Sequence, residues 1–89
     1  MESIEKIEAA LQRLDLPTLV TKEDIKRRYR QLARRYHPDL NADTATQMEE
    51  INQAYTLLME YIASFRYTFD ADEIARQYPG VKHAETFKP

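Results

Sequence analysis

The fold is decided by residues 21–39, which read TKEDIKRRYRQLARRYHPD. Apolar residues recur in this stretch at spacings of four, three, one and three: Ile25, Tyr29, Leu32, Ala33 and Tyr36. Such spacing places them on one stripe of a helix, and basic residues occupy most of the remaining circumference. The helix must end at His37, because the residue before a proline is pushed out of the helical region.

The start of this helix is marked by Thr21 and Asp24. A threonine with an acid three residues later forms a capping box, in which each side chain accepts a hydrogen bond from the other residue's amide. We therefore predict a helix of about 15 residues, roughly 22 Å long, that begins at this threonine.

Another helix, the third in chain order, is predicted after the loop over residues 40–44. Its spacing of apolar residues is the most regular in the chain. Thr44 and Gln47 resemble a second capping box. Apolar residues then repeat at spacings of three, four, three, four and three: Met48, Ile51, Tyr55, Leu58, Ile62 and Phe65. This pattern is typical of helices packed nearly antiparallel.

The first helix is predicted from Ile4, Ile7, Leu11 and Leu14, which fall on one stripe, and it should end near Leu16-Pro17. The sequence thus predicts an all-α fold: an antiparallel hairpin of the second and third helices, with the first packed across it. The chain contains a single glycine, and this scarcity argues against a sheet of tight hairpins.

The pattern changes after Phe65, so we divide the chain into a domain over residues 1–65 and a C-terminal extension over residues 66–89. Residues 66–69 alternate as an extended segment does, and Asp70 with Glu73 predicts a short helix near residues 71–78. The extension contains four aromatic residues: Tyr67, Phe69, Tyr78 and Phe87. We expect them to pack on the domain; the alternative is a segment that docks a specific partner.

Composition excludes several kinds of site. The chain has no cysteine, which rules out disulfides, thiolate metal sites and a cysteine nucleophile, and only His37 and His83 remain as nitrogen ligands. No glycine-rich phosphate loop is present. We expect no metal and no cofactor. Apolar runs are far shorter than the roughly 20 residues that span a bilayer, so a cytoplasmic protein is expected.

Charge is distributed unevenly along the chain. Residues 21–36 hold seven bases and two acids, a net charge of +5, while the rest holds six bases and thirteen acids, a net charge of −7. One basic face is therefore available to an acidic partner or a phosphate backbone.

Two segments carry a resemblance to a known family. Residues 25–39 and residues 50–58, with the pattern Ile-x-x-Ala-Tyr-x-x-Leu starting at Ile51, resemble the second helix, the His-Pro-Asp tripeptide and the third helix of the J domain of DnaJ-type co-chaperones. The resemblance covers residues 4–62. It implies a hairpin that docks on the nucleotide-binding domain of a DnaK-class (seventy-kilodalton heat-shock) chaperone, near the interdomain linker, and accelerates its ATP hydrolysis.

The same resemblance implies which residues contact the chaperone. They are the tripeptide at the tip and the basic face of the second helix: His37, Pro38, Asp39, Lys26, Tyr29, Arg30, Arg27 and Arg34. The chain departs from the family pattern in both halves. In the first helix the usual aromatic pair is absent and a common glycine is Asp15, which is expected to change packing more than recognition. A common base after the tripeptide is Leu40, and the often basic start of the third helix holds Glu49 and Glu50, which is expected to weaken binding without changing its mode.

Other functions compete with this one. A basic helix in a three-helix domain is also how helix-turn-helix proteins enter the major groove of DNA, although a pI of about 5.7 argues against it. A J-like domain that recruits the chaperone without stimulating it is another alternative. We do not expect an enzyme, because no nucleophile and base are paired and so small a domain offers no recognisable pocket.

Overall fold

The computed structural model describes residues 3–37, 39 and 42–78, with Ala42 described by its backbone alone. These residues form four α-helices and no strand: α1 (Ile4–Arg13), α2 (Lys22–Arg35), α3 (Ala45–Ala63) and α4 (Ala71–Gln77). A short 3-10 helix (Ala42–Thr44) precedes α3. The all-α prediction is confirmed.

The end of α1 is a Schellman motif rather than a proline stop. The amide of Leu16 donates to the carbonyl of Leu11 at 2.9 Å, and the amide of Asp15 donates to that of Gln12 at 3.0 Å. Asp15 has a φ of 55°, in the left-handed region. Helix α1 therefore ends before Leu16-Pro17. The left-handed conformation of Asp15 costs about 1 kcal/mol.

The start of α2 is the predicted capping box. The hydroxyl of Thr21 accepts from the amide of Asp24 at 3.0 Å, and the carboxylate of Asp24 accepts from the amide of Thr21 at 3.0 Å. The helix ends at Arg35, with Tyr36 as its C-cap, so it stops two residues before the predicted His37.

The predicted capping box at the start of α3 is wrong. Thr44 is the N-cap, but its side chain makes no capping hydrogen bond. Its backbone (φ −100°, ψ 7°) continues the 3-10 helix instead of adopting the extended conformation of a capping residue. The buried hydroxyl instead donates to the carbonyl of Tyr36 at 2.7 Å, which joins the start of α3 to the end of α2.

Helix α3 is the element on which both α1 and α2 pack. Arg13, at the end of α1, pairs with Glu50, near the start of α3, so these helices run in opposite directions. Thr44 bonds Tyr36 at the loop end of the hairpin, and Tyr29, two turns earlier on α2, bonds Asn52, two turns later on α3, which confirms the antiparallel hairpin. The core consists of buried residues from all three helices and the α1 cap: Ala10, Leu14, Ile25, Leu32, Ile51, Ala54 and Leu58.

Two residues predicted on the core stripes lie outside the core. Ile4 is 74% exposed and Phe65 is 49% exposed. Ile4 is in the first turn of α1 and Phe65 lies two residues beyond the end of α3, so each is at the end of its stripe.

The C-terminal segment stands apart from the three-helix unit. Asp70 caps α4 by accepting from the amide of Glu73 at 2.9 Å, which confirms the predicted helix start. Within the described residues, α4 packs on no other helix. The expectation that the aromatic side chains pack on the domain is wrong for Phe69 (82% exposed) and Tyr78 (59%). Tyr67 meets the ring of Phe65 at the edge of the domain but remains 71% exposed. Phe87 lies outside the described residues.

Candidate partner-binding surface

The tip between α2 and α3 is organised by His37. Its Nδ1 accepts a hydrogen bond from the backbone amide of Asp39 at 3.1 Å and lies 3.6 Å from Oδ2 of that residue. Because Nδ1 is the acceptor, the neutral ring carries its proton on Nε2. Both side chains are exposed, so the tip offers one N–H donor and one carboxylate. Pro38 and Leu40 lie outside the described residues.

The basic residues of α2 separate into two groups. Four of them follow one another at intervals of four residues, and in the part of the chain that the structure describes none of these is paired with a carboxylate: Lys22, Lys26, Arg30 and Arg34. At 1.5 Å per residue this row is about 18 Å long. We call it the basic ridge. It leads along α2 toward the tip.

The other three bases of α2 have partners within the domain. Arg27 forms an ion pair with Asp24 at 3.1 Å, and Arg35 lies over the ring of Tyr36 at 5.7 Å from the ring centre. Arg28 joins α2 to the end of α1, as described below. Of the bases predicted to bind a partner, Lys26, Arg30 and Arg34 therefore lie on the ridge, whereas Arg27 lies beside it with its charge compensated.

Arg28 is a residue that the sequence did not single out. Its Nε donates to the carbonyl of Leu14 at 2.9 Å, and its Nη2 lies 3.0 Å from the carboxylate of Asp15. These bonds cap the C-terminus of α1 and attach it to the middle of α2. The guanidinium thus holds the turn in which Asp15 adopts its left-handed conformation.

Tyr29 connects the two helices of the hairpin. Its ring stacks on Tyr55 with centroids 4.1 Å apart, and its hydroxyl donates to Oδ1 of Asn52 at 2.6 Å. The ring is half-buried between α2 and α3. Tyr29 therefore orients the flank of α2 that carries Lys26 and Arg30.

The acidic start of α3 is partly compensated. Glu50 forms an ion pair with Arg13 at 2.6 Å, on the side of α3 that faces α1. Glu49 accepts a hydrogen bond from the amide of Gln53 at 3.5 Å. Met48 is half-buried against the core. One of the two acids that were expected to weaken binding is therefore neutralised.

Electrostatics also stabilise the start of α2, where the ridge begins. The backbone amide of Thr21, followed by its hydroxyl, lowers the pKa of the Asp24 carboxyl below its usual range, and the Arg27 guanidinium lowers it further. The carboxylate stays ionised near neutral pH and offsets the positive end of the helix dipole.

A sequence model of the DnaJ domain matches residues 10–70. The chain belongs to the DnaJ domain family. Residues 25–39 therefore form the second helix and tripeptide of a J domain, and the resemblance found in the sequence is confirmed. No solved structure matches the chain.

Several curated proteins are similar to this J domain. A DnaJ-like protein (MG002 homolog) of Mycoplasma pneumoniae is 38% identical over 80 residues, which cover 83% of this chain and 26% of that protein. The chaperone protein DnaJ of an Exiguobacterium species is 42% identical over 69 residues, 75% of this chain and 19% of that protein. The chain thus spans about a quarter or less of these relatives.

The match to the Mycoplasma protein reaches into the segment over residues 66–89. Residues 1–65 make up less than three quarters of the 89-residue chain. A match that covers 83% of the chain must therefore include part of residues 66–89. The DnaJ protein of Rippkaea orientalis, by contrast, matches over 53% of the chain.

Neither a membrane span nor a metal centre is found in the described part of the chain. None of its helices combines the length and apolar character needed to cross a bilayer. No cluster of three or more potential ligands among its His, Asp and Glu residues has the arrangement of a metal site.

Proposed function

We propose that this J domain docks on the nucleotide-binding domain of a DnaK-class chaperone in the cytoplasm and accelerates its ATP hydrolysis. One observation carries the proposal: the basic ridge, whose four cations lack carboxylate partners in the described chain, leads to a tip that exposes His37 and Asp39. The family and the names of the relatives support it.

The ridge attracts an acidic surface on the chaperone. Its cations are exposed or half-exposed, so each contributes about 0.2–1 kcal/mol to binding, and their sum raises the association rate more than the lifetime of the complex. Arg27 adds less, because Asp24 already pairs with it.

The tip supplies directional contacts once the ridge has engaged. His37 offers Nε2–H to a carbonyl or carboxylate, and Asp39 offers its carboxylate to a basic group. Pro38, which lies between them in the sequence, is the third predicted contact of the tip. The bond from Thr44 to the Tyr36 carbonyl holds both ends of the connection before binding. This preorganisation reduces the entropy lost on docking.

The J domain itself carries out no bond cleavage in this proposal. The ATP, its metal ion and the catalytic groups belong to the chaperone, and the J domain shifts the chaperone toward the conformation that hydrolyses ATP. Tyr29 has a positioning role, because its hydroxyl and ring face are already engaged by α3.

Single-turnover ATP hydrolysis by a DnaK-class chaperone tests the proposal. We expect the wild type to accelerate hydrolysis, His37→Gln to abolish the effect, and Arg30→Glu to weaken it and reduce its dependence on salt. Lys6→Glu is the matched control, since it also reverses one positive charge, on an exposed residue of α1 away from the ridge.

Two results would overturn the proposal. The first is that the wild type leaves the rate of ATP hydrolysis unchanged. If it nevertheless binds the chaperone, the chain is a domain that recruits the chaperone without stimulating its ATP hydrolysis. The second is equal acceleration by the wild type and His37→Gln, which would remove the tip from the mechanism.

A further inference from the structure

An exposed aromatic patch lies at the end of the molecule opposite the tip. It consists of Tyr61 and Phe65, at the end of α3, with Tyr67, Phe69 and Tyr78. Three of these rings form a continuous row: the centroids of Tyr61 and Phe65 are 5.8 Å apart, those of Phe65 and Tyr67 are 5.5 Å apart, and both pairs meet edge to face.

The patch encloses a groove. Residues 65–69 and one face of α4 surround a cavity of about 650 Å³, open to solvent, whose apolar lining includes Phe65, Tyr67, Phe69, Ile74 and Tyr78. Phe65 also lines a second groove, between α1 and the end of α3. The apolar surface is therefore continuous from the C-terminal segment to the three-helix unit.

The C-terminal segment has too few internal contacts to be stable by itself. Helix α4 has seven residues, and isolated helices shorter than about 12 residues are marginal in water. Its caps and the pair between Arg76 and Glu73 stabilise the backbone locally, but α4 packs on no other described helix. A second surface is needed to bury its apolar face.

The exposed area of the patch is at the upper end of the range found on monomers. With a ring residue presenting on the order of 200 Å², the exposed fractions of the five aromatic residues amount to about 600 Å². The largest apolar patch of a typical monomer measures about 300–600 Å². Two such patches facing each other would bury about 1,200 Å², which is the lower limit for a specific protein interface.

The charges around the groove favour an identical surface over a charged partner. Arg76 and Glu73 neutralise each other within α4, and Asp70 is occupied by capping α4 and by the Thr68 hydroxyl. With Arg66 and Asp72 included, the segment from residue 65 to residue 78 has a net charge of −1, from two bases and three acids. Two copies therefore meet with little repulsion.

We propose that this chain forms a two-fold symmetric dimer through the aromatic patch, in which the aromatic row of one copy fills the groove of the other. An interface that uses the same surface twice is the usual arrangement of homodimers. Helix α3 separates the patch from the tip by its length, about 28 Å. Dimerisation thus presents two docking tips in one particle.

Sedimentation or light scattering of the 89-residue chain over a range of concentrations tests the dimer. For an interface of about 1,200 Å² we expect a dissociation constant in the micromolar range. The double variant Tyr67→Ser, Phe69→Ser should weaken association by about 100-fold. Leu19→Ser is the matched control, because Leu19 is a fully exposed apolar residue that lines neither groove, and it should associate as the wild type does.

Cross-linking provides a second measurement that does not depend on those substitutions. The wild type has no cysteine, so Gln77→Cys places one thiol at the groove and Thr46→Cys places one at the other end of α3. We expect a short bis-maleimide to link two copies of the first variant and not of the second.

Three results would overturn the proposal: a monomer at all concentrations up to the millimolar range, a dimer that persists in the double variant, or equal cross-linking of the two thiols. A monomer that instead binds an apolar peptide through the patch would assign the surface to a different partner.

Discussion

Replacing Arg28 by methionine separates the arginine that holds α1 and α2 together from the cations that we propose dock on the chaperone. Nε of Arg28 donates to the carbonyl of the fully buried Leu14, and Nη2 reaches the carboxylate of Asp15. Methionine keeps the apolar stem of the side chain and removes both bonds. Arg34→Met makes the same chemical change on the basic ridge, where no carboxylate of the described chain is paired with it.

The size of the effect follows from the two contacts. A hydrogen bond from a charged donor to a carbonyl contributes about 1.5–3 kcal/mol, whereas the pair with the exposed Asp15 contributes less than about 1 kcal/mol. We expect Arg28→Met to lower the free energy of unfolding by about 2 kcal/mol. For a domain of this size that corresponds to a fall in Tm of roughly 10 °C.

Thermal unfolding followed by circular dichroism, together with single-turnover ATP hydrolysis at 25 °C, measures both properties. Arg28→Met should lose stability and retain its stimulation of the chaperone. Arg34→Met should retain its stability within about 0.5 kcal/mol and lose part of its stimulation. Equal Tm values for the two variants would refute the structural role of Arg28, and equal stimulation would refute the docking role of Arg34.

Other predictions concern the hairpin and its caps. Thr44→Val should lower the free energy of unfolding by about 1–2 kcal/mol, since the Tyr36 carbonyl loses a buried donor, and Thr44→Ser should restore most of it in urea unfolding. Tyr29→Phe keeps the stacking on Tyr55 and loses one hydrogen bond, so a decrease of about 1 kcal/mol is expected, and no decrease would show that the bond adds nothing. Because the Thr21 amide lowers the pKa of Asp24, the stability from this carboxylate is complete above its unfolded pKa and disappears as pH falls below about 4. Asp24→Asn should therefore show a smaller fall in Tm between about pH 5 and pH 2 than the wild type, and an unchanged fall would contradict the cap's role in acid stability.

Local hydrogen bonding explains which helix boundaries were predictable. The capping box of Thr21 and Asp24 depends on two residues three apart, so the sequence contains all its partners. Thr44 has the same local signature, yet its hydroxyl bonds Tyr36, which lies on a different helix. Such a competing partner exists only after α2 and α3 have come together.

The proposed docking residues show the same division. The spacing of four residues that joins Lys26, Arg30 and Arg34 also leads back to Lys22, so the whole basic ridge was available from the sequence. The sequence did not show which of these bases remain unpaired. Arg28 does not belong to the unpaired bases, because it bonds Leu14 and Asp15, which lie fourteen and thirteen residues earlier in the chain.

The sequence by itself determined the three amphipathic helices, the antiparallel hairpin and the position of the tip at its turn, because periodicity, capping and proline act over a few residues. The tertiary structure decided which charges of α2 are compensated, how the Thr44 hydroxyl is used, and that the rings of Tyr67, Phe69 and Tyr78 face solvent. These depend on contacts between distant segments. A hydrophobic pattern shows that a side chain needs a partner, but only the packed chain shows whether the partner belongs to the same molecule.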